Sequence, residues 1–240
     1  MKQIFKSLVF LILPITSFCS EGDSIRSDKF QLGVTYSPEM SYRHLKATTD
    51  YNWFKKIQDD MDAPKFGFSA GINFGCILST RLTLEIQALY ANKGYQTKER
   101  IVETELQSGP LIKMPYLSNA VYSYRYLDIP LKLNYYLITT KVKFYITAGF
   151  SANIFLDQQT TTIVNYKDGS ENKFKSNTKK GGEPFNFSTL VGVGLNYNLS
   201  DHNIFKLEPA FNYSITPLMN APIKNHLYTA GIRVGIAHTF

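Results

Sequence analysis

Four histidines, His44, His202, His226 and His238, stand in the chain, and a histidine beside Ser and Asp or Glu is a common device for acid–base and acyl-transfer chemistry. None of the four sits in a recognisable spaced pair with such partners, so loop and interfacial histidines are the expected reading. No spacing suits a metal. Gly181-Gly182 beside Lys179 and Lys180 lacks the strand-to-helix context and the Lys-Ser/Thr ending of a phosphate loop. No catalytic, metal or cofactor residue is therefore expected. A second set of groups remains: Glu39, Glu85, Asp128 and Glu208 with Lys93, Arg125, Lys132, Lys143, Lys206 and Arg233. These lie within or beside regularly alternating segments. Their chemistry is mutual pairing, because a buried charge that loses its partner costs about 3–5 kcal/mol.

The segments that hold these charges alternate strictly. From Phe30 to Arg43 the residues Phe30, Leu32, Val34, Tyr36, Pro38, Met40 and Tyr42 lie on one side, opposite Gln31, Gly33, Thr35, Ser37, Glu39, Ser41 and Arg43. That is a strand with one apolar and one polar face. The same period runs from Phe66 to Leu78, Leu82 to Tyr90, Tyr126 to Tyr135, Lys143 to Ile154, Phe187 to Tyr197, Phe205 to Tyr213 and Tyr228 to Phe240. Eight strands result. Three short turns, at Ser79 to Arg81, Ile138 to Lys141 and Ser200 to Asn203, alternate with four long connections: Arg43 to Lys65, Thr97 to Val121, Asp157 to Pro184 and Thr216 to His226.

Composition restricts what these strands can build. The chain is 44% hydrophobic, 14% aromatic and 19% charged, too apolar for a disordered chain or a coiled coil. A mean hydropathy of −0.17, with no apolar run of about 18 residues, excludes helical membrane spans. Any membrane crossing must be made by strands. A single all-β barrel can use the whole length.

Residues 1–20 open with Lys2 and Lys6 and continue through an apolar stretch from Leu8 to Ile15 that is too short to span a bilayer. This is the pattern of a signal peptide, 1–19, with cleavage expected after Cys19. The alternative is acylation of Cys19, and Phe18 argues against it, because the residue before a lipidated cysteine is normally small. Cleavage leaves 24 Lys+Arg against 19 Asp+Glu, a net charge of +5. A secretory signal and the absence of a dense basic block argue against nucleic acid as a partner. Cleavage also leaves Cys76 as the single thiol, so no disulfide framework is expected.

The face composition decides between barrel types. A soluble barrel turns its apolar side chains inward and its charges outward. Here the apolar face is nearly free of charge on every strand, and the other face, rich in Gly, Ser, Thr, Asn and the charges named above, suits a narrow polar lumen. Aromatics cluster at both strand ends: Tyr42, Phe66, Tyr90, Phe187, Tyr213 and Tyr228 at one, Phe30, Tyr135, Phe144, Tyr197, Phe205 and Phe240 at the other. They form two candidate interfacial belts. The expected fold is all-β, an eight-stranded antiparallel transmembrane barrel over 30–240 with a short periplasmic segment, 20–29, before it. Short turns on the periplasmic side and long loops outside place both termini in the periplasm. Phe240, a terminal aromatic after Ile232, Val234 and Ile236, matches the signal read by barrel-assembly machinery.

Tyr90-Ala91-Asn92-Lys93-Gly94-Tyr95, Tyr126-Leu127-Asp128-Ile129-Pro130-Leu131-Lys132 and Ala148-Gly149-Phe150, in this order and spacing, resemble the outer-membrane β-barrel family of Bacteroidota, the PorT-like group. The resemblance covers Phe30 to Phe240. It implies an integral outer-membrane protein and, for some members, a link to secretion across the envelope. The expected role is structural, binding or envelope assembly through long extracellular loops, with a side-chain-filled lumen. The expected partners are outer-membrane lipid and lipopolysaccharide, the assembly machinery and other envelope proteins. Lys167, Lys173, Lys175, Lys179 and Lys180 in the third long loop could meet anionic lipopolysaccharide or an acidic partner. A lipid-modifying enzyme and a small channel are the alternatives. The signal reading makes an immediate prediction: the mature protein starts at Ser20 and stays in the membrane fraction after carbonate washing, as N-terminal sequencing of that fraction checks.

Overall fold

The computed structural model describes residues 29–101, 115–138, 140–179, 182–219 and 221–240. The expected signal peptide and all but the last residue of the 20–29 segment lie outside these, as do Lys180 and Gly181. Ten strands are described: β1 (Phe30–Ala47), β2 (Asp62–Ser79), β3 (Leu82–Thr97), β4 (Arg100–Ile101), β5 (Pro115–Tyr136), β6 (Val142–Tyr166), β7 (Glu171–Thr178), β8 (Phe185–Asn198), β9 (Asn203–Ser214) and β10 (Ile223–Thr239). Eight of them close a ring of antiparallel pairs in the order β1, β2, β3, β5, β6, β8, β9, β10 and back to β1. The small strands β4 and β7 add to β5 and β6 outside the ring.

Closure is made at the seam between the first and last strands. Gln31 pairs with Thr239, and the register runs to Ala47 opposite Ile223. Beyond it Phe30 and Phe240 exchange two backbone hydrogen bonds, each 3.0 Å, and their rings lie 6.1 Å apart. Both strand ends therefore lie at the short-turn end of the barrel.

The alternation sorts the side chains. The apolar face points outward: Phe66 is 80% and Phe150 68% exposed, and Leu32, Val34, Ile72, Leu131, Val191 and Ile232 are exposed with them. The polar face points into the lumen, where Thr35, Ser69, Asn73, Gln87, Asn134, Thr147 and Asn196 are buried. Aromatic pairs mark both rims, with Tyr42 and Tyr228 at 5.7 Å at the loop end and Phe30 and Phe74 at 5.7 Å at the turn end.

Two expectations need correction. Several strands run on into the expected loops: β1 to Ala47, β3 to Thr97, β5 from Pro115, β6 to Tyr166 and β10 from Ile223. Past the apolar band neither face has to be apolar, so alternation stops while pairing continues. The first long connection also holds a helix, α1 (Asn52–Met61), entered through a 3-10 turn at Thr49–Tyr51.

The seam predicts the effect of a terminal deletion. Removal of Phe240 takes away both closing hydrogen bonds and one ring of the pair, so the yield of heat-modifiable, membrane-inserted protein should fall, as gel migration of boiled and unboiled samples measures.

Candidate functional site

Glycine makes the room for large side chains inside this narrow ring. Each large inward residue of a set faces a glycine on a neighbouring strand: Gln31 faces Gly75, Asn73 faces Gly33, Glu39 faces Gly231, Lys132 faces Gly149 and Tyr145 faces Gly194. A Cβ on Gly231 would lie 2.7 Å from Glu39 Cγ, and one on Gly194 would overlap the Tyr145 ring. The glycine-rich polar face is thus the complement of the residues that fill the lumen.

At the turn end these residues form one connected cluster. Lys132 Nζ donates to Glu208 Oε2 at 2.7 Å and Oε1 at 2.9 Å, and it lies 3.4 Å from Glu85 Oε1. Lys206 Nζ donates to Glu85 Oε2 and to Gln31 Oε1, both at 3.0 Å. Arg233 donates to Glu208 at 2.9 Å, and the Tyr145 hydroxyl donates to the same carboxylate at 2.8 Å. Asn73, Gln87 and Asn134 donate to Glu85 at 3.2, 2.6 and 3.2 Å. Glu85, Glu208 and Lys132 are 1, 2 and 3% exposed, so solvent does not reach the cluster. Two carboxylates face three cations.

Halfway along, Lys93 pairs with Asp128, and Glu39 accepts from Ser69 at 2.6 Å. Two acids against one base offset the surplus positive charge of the cluster below. Between this level and the loop end is a cavity of ≈ 20 Å³, with Lys93, Asn153, Asn212 and Thr229 in its wall, room for about one water.

The loop end is closed mainly by rings and aliphatic side chains. Tyr95, Tyr124, Tyr126 and Ala91 pack with Leu227 and with Leu218, which reaches in from the last long connection. Above them Arg43 makes a two-pronged contact with Asp62, at 2.6 and 3.0 Å, donates to Tyr95 at 2.9 Å and lies 3.8 Å over the same ring.

Of the residues expected in the lumen, Glu85, Lys132, Lys206, Glu208 and Arg233 come together, and Lys93, Asp128 and Glu39 form the level above. Lys143 shares the inward parity but lies partly exposed at the turn-end mouth. Arg125 is a correction. Tyr124, Tyr126 and Asp128 hold the inward positions of β5, which turns Arg125 to the outer wall, where it pairs with Asp157 beside a register shift in the β5–β6 ladder. Sequence reasoning missed Tyr145, Gln31 and the Arg43–Asp62 pair. The legible signal was a tyrosine on an otherwise polar face. Asp62 carried none, because it lay in an expected loop.

His44 lies directly opposite His226, whose Nδ1 is 3.0 Å from the Ser214 carbonyl. No group of three or more metal-binding side chains occurs among the described residues.

A closed antiparallel ring with an apolar outside and a charge-paired inside is the architecture of an outer-membrane β-barrel. The family model for the outer membrane protein β-barrel domain matches residues 27–220, and the chain belongs to that family. No curated protein matches the chain. Among solved structures, the Neisserial surface protein A is 14% identical with 88% of this chain and 97% of that chain covered, at a TM-score of 0.43. OprG from Pseudomonas aeruginosa is 11% identical over 88% and 96%, at 0.43. The protease OmpT from Escherichia coli is 9% identical over 92% and 99%, at 0.43. The family match alone carries the assignment.

The lumen generates two predictions. Glu208→Ala leaves three donors without their carboxylate and should destabilise the barrel by about 3–5 kcal/mol, measured by urea unfolding in lipid vesicles. Gly194→Ala should cost about 1–3 kcal/mol by displacing the Tyr145 ring, and the same substitution should cost less in a Tyr145→Ser background.

Proposed function

We propose that the protein is a closed, non-conducting barrel that holds a rigid β-ribbon outside the cell as a binding surface. The observation that carries this reading is the unequal length of the strands. β6 pairs with β8 only as far as Ile154, yet it continues to Tyr166 against β5 and β7. The further residues, 155–166, give about 40 Å of strand at roughly 3.3 Å per residue. Every residue of β7 is exposed, and β7 ends the sheet.

The orientation follows the outer-membrane rule that short turns face the periplasm and long connections the outside. Under it both termini are periplasmic and the ribbon is extracellular. Lys167, Lys173, Lys175 and Lys179 give the β6–β7 hairpin a basic character suited to an acidic surface such as lipopolysaccharide or an acidic envelope protein. The PorT-like segments, Tyr90 to Tyr95 and Tyr126 to Lys132, support a place in the Bacteroidota group and an envelope-assembly or secretion-linked role. A buried cluster at one end of the lumen and an aromatic cap at the other favour interaction over transport.

Replacing 157–178 with a short turn tests the reading. The expected result is a barrel that still folds, by heat-modifiable migration, but no longer restores the phenotype of a deletion strain. Planar-bilayer recordings of the wild-type protein should show no single-channel steps, and stable, reproducible steps would promote the channel alternative.

A further inference from the structure

The helix α1 presents a face that no described residue covers. At 100° per residue Trp53, Phe54, Ile57 and Met61 share a stripe about 100° wide, and Trp53, Phe54 and Ile57 are 67, 40 and 40% exposed. The Trp53 and Phe54 rings meet edge to face at 5.5 Å. Lys55, Lys56, Asp59 and Asp60 occupy the rest of the helix, with Lys55 and Asp59 3.5 Å apart. These four charges cancel.

The chain fixes where this helix lies. Its last turn is tied to the extension of β3, since Lys98 donates its backbone N–H to the Met61 carbonyl at 2.7 Å and its Nζ to the Asp60 carbonyl at 2.9 Å. The next residue, Asp62, is held by Arg43. Asp59 lies near enough to the hydroxyl of Tyr42, a residue of the outer aromatic rim, to act on it electrostatically. The helix therefore lies beside the lipid-facing wall of the barrel at its rim.

A second observation lies on the same wall. Above the Tyr42–Tyr228 pair, the β1–β10 register sets His44 opposite His226 and then Lys46 opposite Lys224. Both lysines are exposed. No acidic side chain pairs with either among the described residues, and like charges directly across a sheet are destabilising on their own. The four residues from Tyr42 to Lys46 span roughly 13 Å of strand, about 10 Å along the membrane normal at the tilt of such barrels. The headgroup layer is about 5–7 Å deep on each side, so a lysine side chain at that height reaches back into it.

We propose that this sector is a built-in attachment to the membrane surface. In it α1 lies in the headgroup layer with Trp53, Phe54 and Ile57 toward the acyl chains, and Lys46 and Lys224 hold the phosphate of an anionic lipid headgroup between them. A lipid surface is the occupant that fits, because the helix lies beside the established lipid-facing wall at its aromatic rim and its exposed stripe carries two aromatic rings.

Trp53 is the only tryptophan of the chain, so intrinsic fluorescence reports on α1 alone. The test uses the full mature barrel in phosphatidylcholine vesicles with and without phosphatidylglycerol, with folding checked by heat-modifiable migration. Both leaflets then offer the same lipid, and iodide loaded on both sides of the vesicles makes the readout independent of insertion direction. The expected result is an emission maximum shifted to shorter wavelength, loss of most emission to lipids brominated on the upper acyl chain, and little quenching by aqueous iodide. Adding phosphatidylglycerol should lower iodide access further, and the folded Lys46→Gln/Lys224→Gln variant should lose that increment. Full quenching by iodide with none by brominated lipid, in a folded barrel, overturns the helix placement and points to a protein partner. Identical behaviour with and without phosphatidylglycerol overturns the phosphate assignment.

Discussion

In hydrocarbon no water is present to satisfy a backbone N–H or C=O, so a sheet that crosses it must leave no open edge. The β1–β10 seam meets that demand, and the rest of the fold follows from it. Once Phe30 and Phe240 join the ends, the pleat can only divide side chains into those that meet lipid and those that meet each other. Among the described residues only β4 and β7 add strands outside the ring, and both attach at the loop end.

A ring of eight strands has an interior about as wide as the side chains that point into it. In this lumen the size limit is met pairwise, a large residue against a glycine, and the electrostatic limit is met by shared partners. Glu85 and Glu208 each touch more than one cation, and Lys132 touches both. The same carboxylates accept from neutral amides and a phenol. Such a network specifies one arrangement of the strands, because a one-residue slip of any strand would carry its charges to the lipid face.

Much of this was legible without coordinates. Eight alternating segments, the even spacing of short and long connections and the charge-free face define the ring and its inside, because lipid on one side and a narrow lumen on the other both act at a period of two. Legibility ends where that pressure ends. Thr160, Thr161 and Thr162 continue β6, but with water on both sides they leave no alternating pattern. The helix from Asn52 to Met61 is short, and its stripe of four apolar residues reads as loop until its surroundings are known. Arg125 illustrates a different limit: a charge beside a strand suggests the lumen, but its parity is opposite to that of Asp128 and Lys132, and the burial of Tyr124 and Tyr126 confirms the even positions as inward. The lumen cluster was partly visible as acids and bases within the alternating segments, but Tyr145 and Gln31 were not, since a phenol and an amide give no charge to count.

The β5–β6 ribbon also has an entropic consequence. A disordered loop of similar length would let its tip sample a wide volume, and anything captured there would have to be ordered at the moment of contact. A paired ribbon has lost that freedom during folding. Its tip is held at a nearly constant height and bearing above the rim, so two ligand groups that match it meet it at a high effective concentration once the first is engaged. The ribbon stands over β5 and β6, while α1 follows β1 on another part of the ring. The molecule is therefore strongly anisotropic about the membrane normal, and its rotational diffusion in the bilayer sets which neighbours the tip can sweep past.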